Sequence, residues 1–352
     1  MGRISKSGGR RFYRRKARWP GVIAVCVLIC FCIVLAGPVF HVWDRLFPPA
    51  AIQAGAIAAG YENIAEEGAT YYRSIRQEPD LQEVTEKLIS LLESQFESGV
   101  SAEGIVILDE AGNSLYEMNA DVQRAPASMT KLMTAIVAIE AGTLEDTVTV
   151  GELYGCYVED SVLIYLEAGE QVAMRDLLAA IMIKSANDAA AAIAIHVAGS
   201  IEAFAQMMND KAAEMGLTNT HFANPHGLTE EGHYTTPRDM AKILQRASEY
   251  EILQELSKTA EYTFSSTSTY GENYSYTLNS LNDFALGTMQ VEPFTYVCGK
   301  TGYTSAAGRC LAAAFRKDTG EMYYCVVMRS EENFEDMCQT LNFLGRRLEA
   351  LA

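Results

Sequence analysis

The longest apolar stretch of the chain runs from 19 to 43, and between 22 and 42 it holds no Lys, Arg, Asp or Glu. That is about the length a helix needs to cross a bilayer. After it, Ala- and Gly-containing sequence (50–60) gives way to a charged stretch with helical spacing (80–96). From 104 to 116, two short apolar runs flank Asp109-Glu110-Ala111-Gly112, which predicts two strands about a turn. Over 127–139, Leu132, Met133, Ile136, Val137 and Ile139 recur at helical spacing behind Pro126. A helical middle continues to about 217, with an apolar helix at 177–183 and an Ala-rich one at 188–198. Stretches at 295–298, 308–315 and 322–328 read as strands, separated by turns at 303–307 and 318–320. A last helix is predicted at 334–351. Strands from both ends of the chain around helical sequence predict an α+β fold: an antiparallel sheet flanked by helices, with an inserted all-helical subdomain, preceded by one transmembrane helix. A cleft is expected between the sheet and the helical part.

Charge sharpens the domain picture. The net charge is −17, yet residues 1–18 carry eight Lys/Arg and no acid, leaving 20 basic against 45 acidic residues in the rest. A basic head before an apolar run is a topology signal that keeps the head in the cytoplasm and places the rest outside. The expected organisation is a basic cytoplasmic tail (1–18), a transmembrane anchor (19–43), a stalk (44–95) and a catalytic domain (96–352). A cleaved signal peptide is the alternative reading of the run, and its length and Pro38 disfavour it. The acidic body argues against nucleic acid as a partner.

Three short motifs carry chemistry. In Ser128-Met129-Thr130-Lys131, a serine precedes a lysine by three residues, and Lys131 is the only one of the ten lysines so preceded. On a helix these positions are neighbours. A serine hydroxyl needs a base, and a lysine serves as one when burial or a second cation depresses its pKa. Lys300 is the candidate second cation. Ser185-Ala186-Asn187 stands at a helix–helix corner, where Ser185 can relay a proton and Asn187 can bind an amide. Lys300-Thr301-Gly302 follows the strand at 295–298. Gly302 admits a close backbone, Thr301 can hydrogen-bond a carboxylate, and Lys300 supplies positive potential. Two decoys, Ser280-Leu281-Asn282 and Lys258-Thr259-Ala260, lie in less suitable contexts.

The ordered trio, together with segments 126–135, 222–228, 234–240 and 299–308, resembles the serine D-alanyl-D-alanine carboxypeptidases, the low-molecular-mass penicillin-binding proteins, over roughly 95–345. The resemblance implies a β-lactamase/DD-peptidase-like fold. It makes Ser128 the acylated nucleophile and Lys131 its base, and lines the cleft with Ser185 and Asn187. Lys300, Thr301 and Gly302 become the strand along which substrate lies, and the backbone N–H groups of Ser128 and Tyr303 the oxyanion hole. The implied reaction removes the terminal D-Ala from peptidoglycan stem peptides, with β-lactams as inhibitors and no metal or organic cofactor. Many members carry a C-terminal β-rich domain and a membrane-binding helix. Here the sequence after Gly302 holds only closing strands and a final helix. Arg329 is the candidate for a carboxylate-binding arginine found in some members.

Rival readings remain open. A serine β-lactamase shares fold and motifs, but no Leu-Asn pair here has Glu three residues before the Leu. A DD-endopeptidase has the same motifs. A catalytically silent wall-binding protein of the same fold would show loss of Ser128, Lys131 or Lys300, and all three are present. His196 reads as a core residue. His221, His226 and His233 cluster in sequence without the spacing of a helical metal pair. Among Cys156, Cys298, Cys310, Cys325 and Cys338, wide spacings and an odd count predict buried thiols, with at most one cross-strand pair.

Overall fold

The computed structural model describes residues 81–351 apart from positions 154, 157, 159 and 160. The predicted tail, the anchor and positions 44–80 of the stalk lie outside the described residues. Among the described residues no single helix is long and apolar enough to cross a membrane.

A compact unit begins at Thr85. Its centre is an antiparallel sheet of β1 (Gly104–Asp109), β2 (Ser114–Met118), β7 (Phe294–Thr304), β8 (Gly308–Lys317) and β9 (Met322–Ser330), in the order β2-β1-β9-β8-β7. Layers cover both faces, so the inner strands read as continuous apolar runs rather than alternating ones. In β1, Ile105 and Ile107 join one core while Val106 and Leu108 join the other. Along β9, Cys325 and Val327 alternate with Tyr324, Val326 and Met328 in the same way.

On the first face lie α1 (Leu81–Glu97) and the last helix, which spans Asn333–Leu351. Met337, Leu341 and Leu344 on one stripe of the last helix are buried, and Phe343 stacks on Phe96 of α1 at 4.7 Å. The second face is covered by α2 (Thr130–Glu140), α3 (Met174–Ala179), α4 (Asn187–Ala198), α5 (Ile201–Glu214), α6 (Pro237–Ala247) and α7 (Glu251–Lys258), which makes the last helix α8. Residues 130–138 of α2 are all buried, the mark of a helix enclosed on every side.

The inserted part is not all-helical. It carries a second antiparallel sheet, β3-β4-β5-β6, formed by Thr147–Thr149, Gln171–Ala173, Glu261–Thr267 and Asn273–Asn279. The hairpin β5–β6 hides from hydropathy because its buried positions are few: Phe264 and Ser266 on one strand and Leu278 on the other. Its remaining residues are mostly Thr, Ser, Tyr and Asn, residues of strand and turn rather than of an apolar run.

Among the described residues Cys156, Cys298, Cys310, Cys325 and Cys338 are free thiols, and no cross-strand pair forms. His196 is not a core residue: its ring lies at the edge of α4, with Nε2 2.9 Å from Asp146 Oδ2.

Candidate active site

The helix expected at 127–139 begins later. Ala127–Met129 forms a single 3-10 turn, and α2 starts at Thr130. Because a 3-10 turn has three residues, it aligns Ser128 with Lys131 as well as an α-helix would. Ala127 sits at φ +48, a left-handed conformation that costs a non-glycine residue about 1–2 kcal/mol. Two glycines hold the turn there. A Cβ on Gly302 would stand 3.0 Å from the Ser128 N and 3.1 Å from the Pro126 O. One on Gly227 would stand 2.0 Å from the Ala127 O. Backbone therefore closes on the serine from both sides. Gly302 brings with it β7, the edge strand of the main sheet.

Lys131 is fully buried. Its Nζ is 2.9 Å from Ser128 Oγ, 2.7 Å from Asn187 Oδ1 and 2.6 Å from the His226 carbonyl. Burial first, and then the charge on Lys300, hold its pKa well below the usual lysine range. A neutral amine has two N–H bonds and one lone pair. Asn187 Oδ1 and the His226 carbonyl can only accept, so they take the two N–H bonds. When the amine is neutral, its lone pair then faces the Ser128 hydroxyl, as a general base requires; when charged, it donates a third hydrogen bond there. At the other end of the Asn187 amide, Nδ2 donates to Ser161 Oγ at 2.7 Å.

The His226 carbonyl had no signature in the sequence, and a built turn holds it in place. Asn224 Oδ1 accepts the Gly227 N–H at 2.8 Å, and Asn224 Nδ2 donates to the Leu228 carbonyl at 3.0 Å. Thr134 Oγ1 on α2 donates to the Pro225 carbonyl at 2.6 Å. His233 Nδ1 accepts the Ala223 N–H at 3.0 Å, so the proton is on Nε2, which donates to Thr130 Oγ1 at 2.8 Å. Burial pushes the pKa of His226 down to about 3 and that of His233 to about 4. Both rings are thus neutral wedges behind Lys131. Among the described residues no three His, Cys, Asp or Glu side chains gather as a metal site.

The second motif reaches the same place. A π-helical turn (Ala180–Lys184) ends in Ser185 at φ +67, and Asn187 opens α4. No hydrogen bond joins Ser185 to Ser128 or Lys131 among the described contacts. In the third motif, Lys300 is buried and its Nζ donates to the Thr301 carbonyl at 2.9 Å. Burial lowers its pKa to about 7. Thr301 is half-buried and Tyr303 is 63% exposed on the edge strand.

The decoys fall away. Ser280 Oγ accepts the Asn282 N–H at 3.2 Å within a turn, and Asn282 Nδ2 donates to the Tyr296 hydroxyl at 2.8 Å. Lys258 is an exposed residue at the end of α7. Arg329 is already engaged: Nε donates to Glu103 Oε1 at 2.9 Å and Nη1 to the Ala306 carbonyl at 3.0 Å.

The family model for D-alanyl-D-alanine carboxypeptidase matches residues 92–332. The chain belongs to the D-alanyl-D-alanine carboxypeptidase family. It is 37% identical over 216 residues to D-alanyl-D-alanine carboxypeptidase DacF of Bacillus subtilis, covering 60% of this chain and 53% of that protein. The D-alanyl-D-alanine endopeptidase of Escherichia coli is 33% identical over 205 residues, covering 56% and 61%. The chain thus spans about half the length of the DacF carboxypeptidase it matches. Among solved structures, a Streptomyces DD-transpeptidase superposes with a TM-score of 0.63 at 28% identity, covering 69% of this chain and 97% of that one. The proteins this chain is similar to are thus named carboxypeptidase, endopeptidase and transpeptidase.

Proposed function

We propose that this protein is a serine D-alanyl-D-alanine carboxypeptidase that removes the terminal D-Ala from peptidoglycan stem peptides through a Ser128 acyl-enzyme. The observation that carries this reading is the set of three contacts at Lys131 Nζ, two to pure acceptors and one to the Ser128 hydroxyl. The peptide lies along the free edge of β7, its carboxylate facing Thr301 and the charge of Lys300. Ser128 Oγ attacks the carbonyl of the penultimate residue as its proton passes to Lys131. The backbone N–H groups of Ser128 and Tyr303 receive the negative charge on the carbonyl oxygen. The C–N bond breaks, and the departing D-Ala amine takes the proton back from Lys131. Water then attacks the ester by the same base and frees Ser128. A penicillin would acylate the same oxygen. In this reading residues 1–18 are a cytoplasmic tail, 19–43 the anchor and 44–95 the expected stalk, whose part from Thr85 on packs as α1 within the outward-facing catalytic unit.

The test is product analysis with the full-length protein and a stem pentapeptide, with and without an acceptor amine. Free D-Ala and tetrapeptide in equal amounts are expected. Transfer of the acyl group to the acceptor as the main product would replace hydrolysis by transpeptidation.

The pH dependence follows from the two lysines. Catalysis needs Lys131 neutral and Lys300 charged. In the free enzyme Lys300 loses its proton at about 7, so kcat/KM is expected to fall above that pH. A bound carboxylate favours charged Lys300, so the same limb in kcat is expected at higher pH. A Lys300 limb at the same pH in both profiles would contradict the role. Stability moves the other way. Between about 7 and the ordinary value of 10.5, the unfolded chain keeps a proton on Lys300 that the folded protein has lost. Stability from this group therefore rises with pH through that window, and its burial penalty is complete below it.

A further inference from the structure

Five non-glycine residues among those described have left-handed φ: Asn119, Ala127, Tyr165, Ser185 and Arg329. Ala127 and Ser185 belong to the candidate site. Tyr165, at φ +65, adjoins it and is 72% exposed. Asparagine adopts this region readily, whereas a bulky aromatic residue does so only when its surroundings impose it.

The surroundings here are specific. The carboxylate of Asp188, fully buried, accepts the N–H groups of Ile164, Tyr165 and Leu166 at 3.1, 2.7 and 3.2 Å. Asn187, next in the chain, donates its backbone N–H to the Val162 carbonyl at 2.8 Å and its Nδ2 to Ser161 Oγ. The other end of that amide is bonded to Lys131. Segment 161–166 is thus fastened to the second motif along its length. A buried carboxylate and a strained tyrosine both cost stability. The ring they hold is mostly in water, so its burial does not offset that cost.

We propose that Tyr165 is a specificity-determining residue of this site, whose ring receives the acyl arm of the peptide on the N-terminal side of the scissile bond. The inference rests on the function proposed above. Lys300 and Thr301 on β7 claim the carboxylate end, which leaves the other arm to the Asn187 side of Ser128, where the segment carrying Tyr165 is bonded. An extended peptide offers such a ring the apolar part of a side chain and its amide faces.

The test compares Tyr165→Ala, Tyr165→Phe and Tyr165→Gly in the full-length protein. Two rates are read: D-Ala release from a stem pentapeptide, and acylation by a small penicillin that lacks the long acyl arm. In Tyr165→Ala, KM for the pentapeptide is expected to rise about tenfold with kcat unchanged. Penicillin acylation should match the wild type, and Tyr165→Phe should behave as wild type in both. Tyr165→Gly should raise KM equally while Tm does not fall, since glycine relieves the strain. An unchanged KM in Tyr165→Ala would overturn the proposal. So would an equal loss in KM and penicillin acylation, which would make the residue a support of the loop. A wild-type protein that is acylated by penicillin but releases no D-Ala overturns the carboxypeptidase reading, and this inference with it; that failure is visible without any Tyr165 variant.

Discussion

Lys131→Met is expected to slow acylation of Ser128 by about 10³- to 10⁴-fold, the usual contribution of a positioned general base. The substitution keeps an unbranched chain in the same enclosed space and removes only the nitrogen and its hydrogen bonds. Asn187 Oδ1 and the His226 carbonyl lose their shared donor, so a loss of about 1–3 kcal/mol in stability accompanies the kinetic effect. Lys131→Arg separates charge from basicity. A guanidinium can donate to both acceptors but does not give up its proton in a protein. Acylation should stay as slow as in Lys131→Met. If Lys131→Arg restored the rate, the lysine would be acting through its charge, and the reading of a neutral base would be wrong. Stopped-flow acylation with a fluorescent penicillin reads both variants directly.

Gly227→Ala is expected to be the most damaging small substitution outside the three motifs. The new methyl carbon would meet the Ala127 carbonyl oxygen at 2.0 Å and its carbon at 2.4 Å, both backbone atoms, in a residue at φ +91. Neither partner can rotate away, so the Ala127–Ser128 peptide or the Asn224–Leu228 turn must shift. Either shift moves Ser128 relative to Lys131. A stability loss of about 3 kcal/mol or more is expected, lowering Tm by roughly 10 °C, with acylation largely lost. Gly216→Ala is the matched control. Its φ of +69 carries the left-handed penalty, but no atom lies within 4 Å of the added carbon, so only about 1–2 kcal/mol should be lost and acylation kept. Thermal melts and acylation rates of the two variants, measured together, separate backbone collision from simple loss of glycine freedom.

The two substitutions bear on how much of the site was legible in the sequence. Ser128 and Lys131 were legible because their spacing survives the change from α-helix to 3-10 turn. Asn187 was legible as one member of a motif, though its contact with Lys131 was not. The His226 carbonyl could not be read at all: a backbone acceptor leaves no residue type behind, and only the Asn224-Pro225-His226-Gly227 sequence hinted at a rigid turn. Ser161 and Asp188 escaped for a related reason. Their partners lie 26 residues away for Ser161 and about as far for Asp188, and polar residues in a loop or at a helix start look ordinary.

At the level of the fold, β1, β8 and β9 announced themselves as apolar runs because both faces of the main sheet are covered. The β5–β6 hairpin did not, since its outward positions are Thr, Ser and Tyr and its inward ones include a serine, Ser266, bonded to Glu170. Polar burial of that kind is invisible to hydropathy, and it turned a mixed subdomain into an apparently all-helical one. Arg329 shows the opposite error. A cation at a strand end suited a carboxylate in prospect, but the protein's own Glu103 holds it.

The account stands on a serine that becomes covalently acylated because a neutral lysine takes its proton. Intact mass after incubation with penicillin, for the wild type and Ser128→Ala side by side, tests that claim most directly. A single stable adduct of one penicillin on the wild type and none on Ser128→Ala is the expected result. An adduct that persists in Ser128→Ala, or a wild type that takes none while the penicillin stays intact, would contradict it.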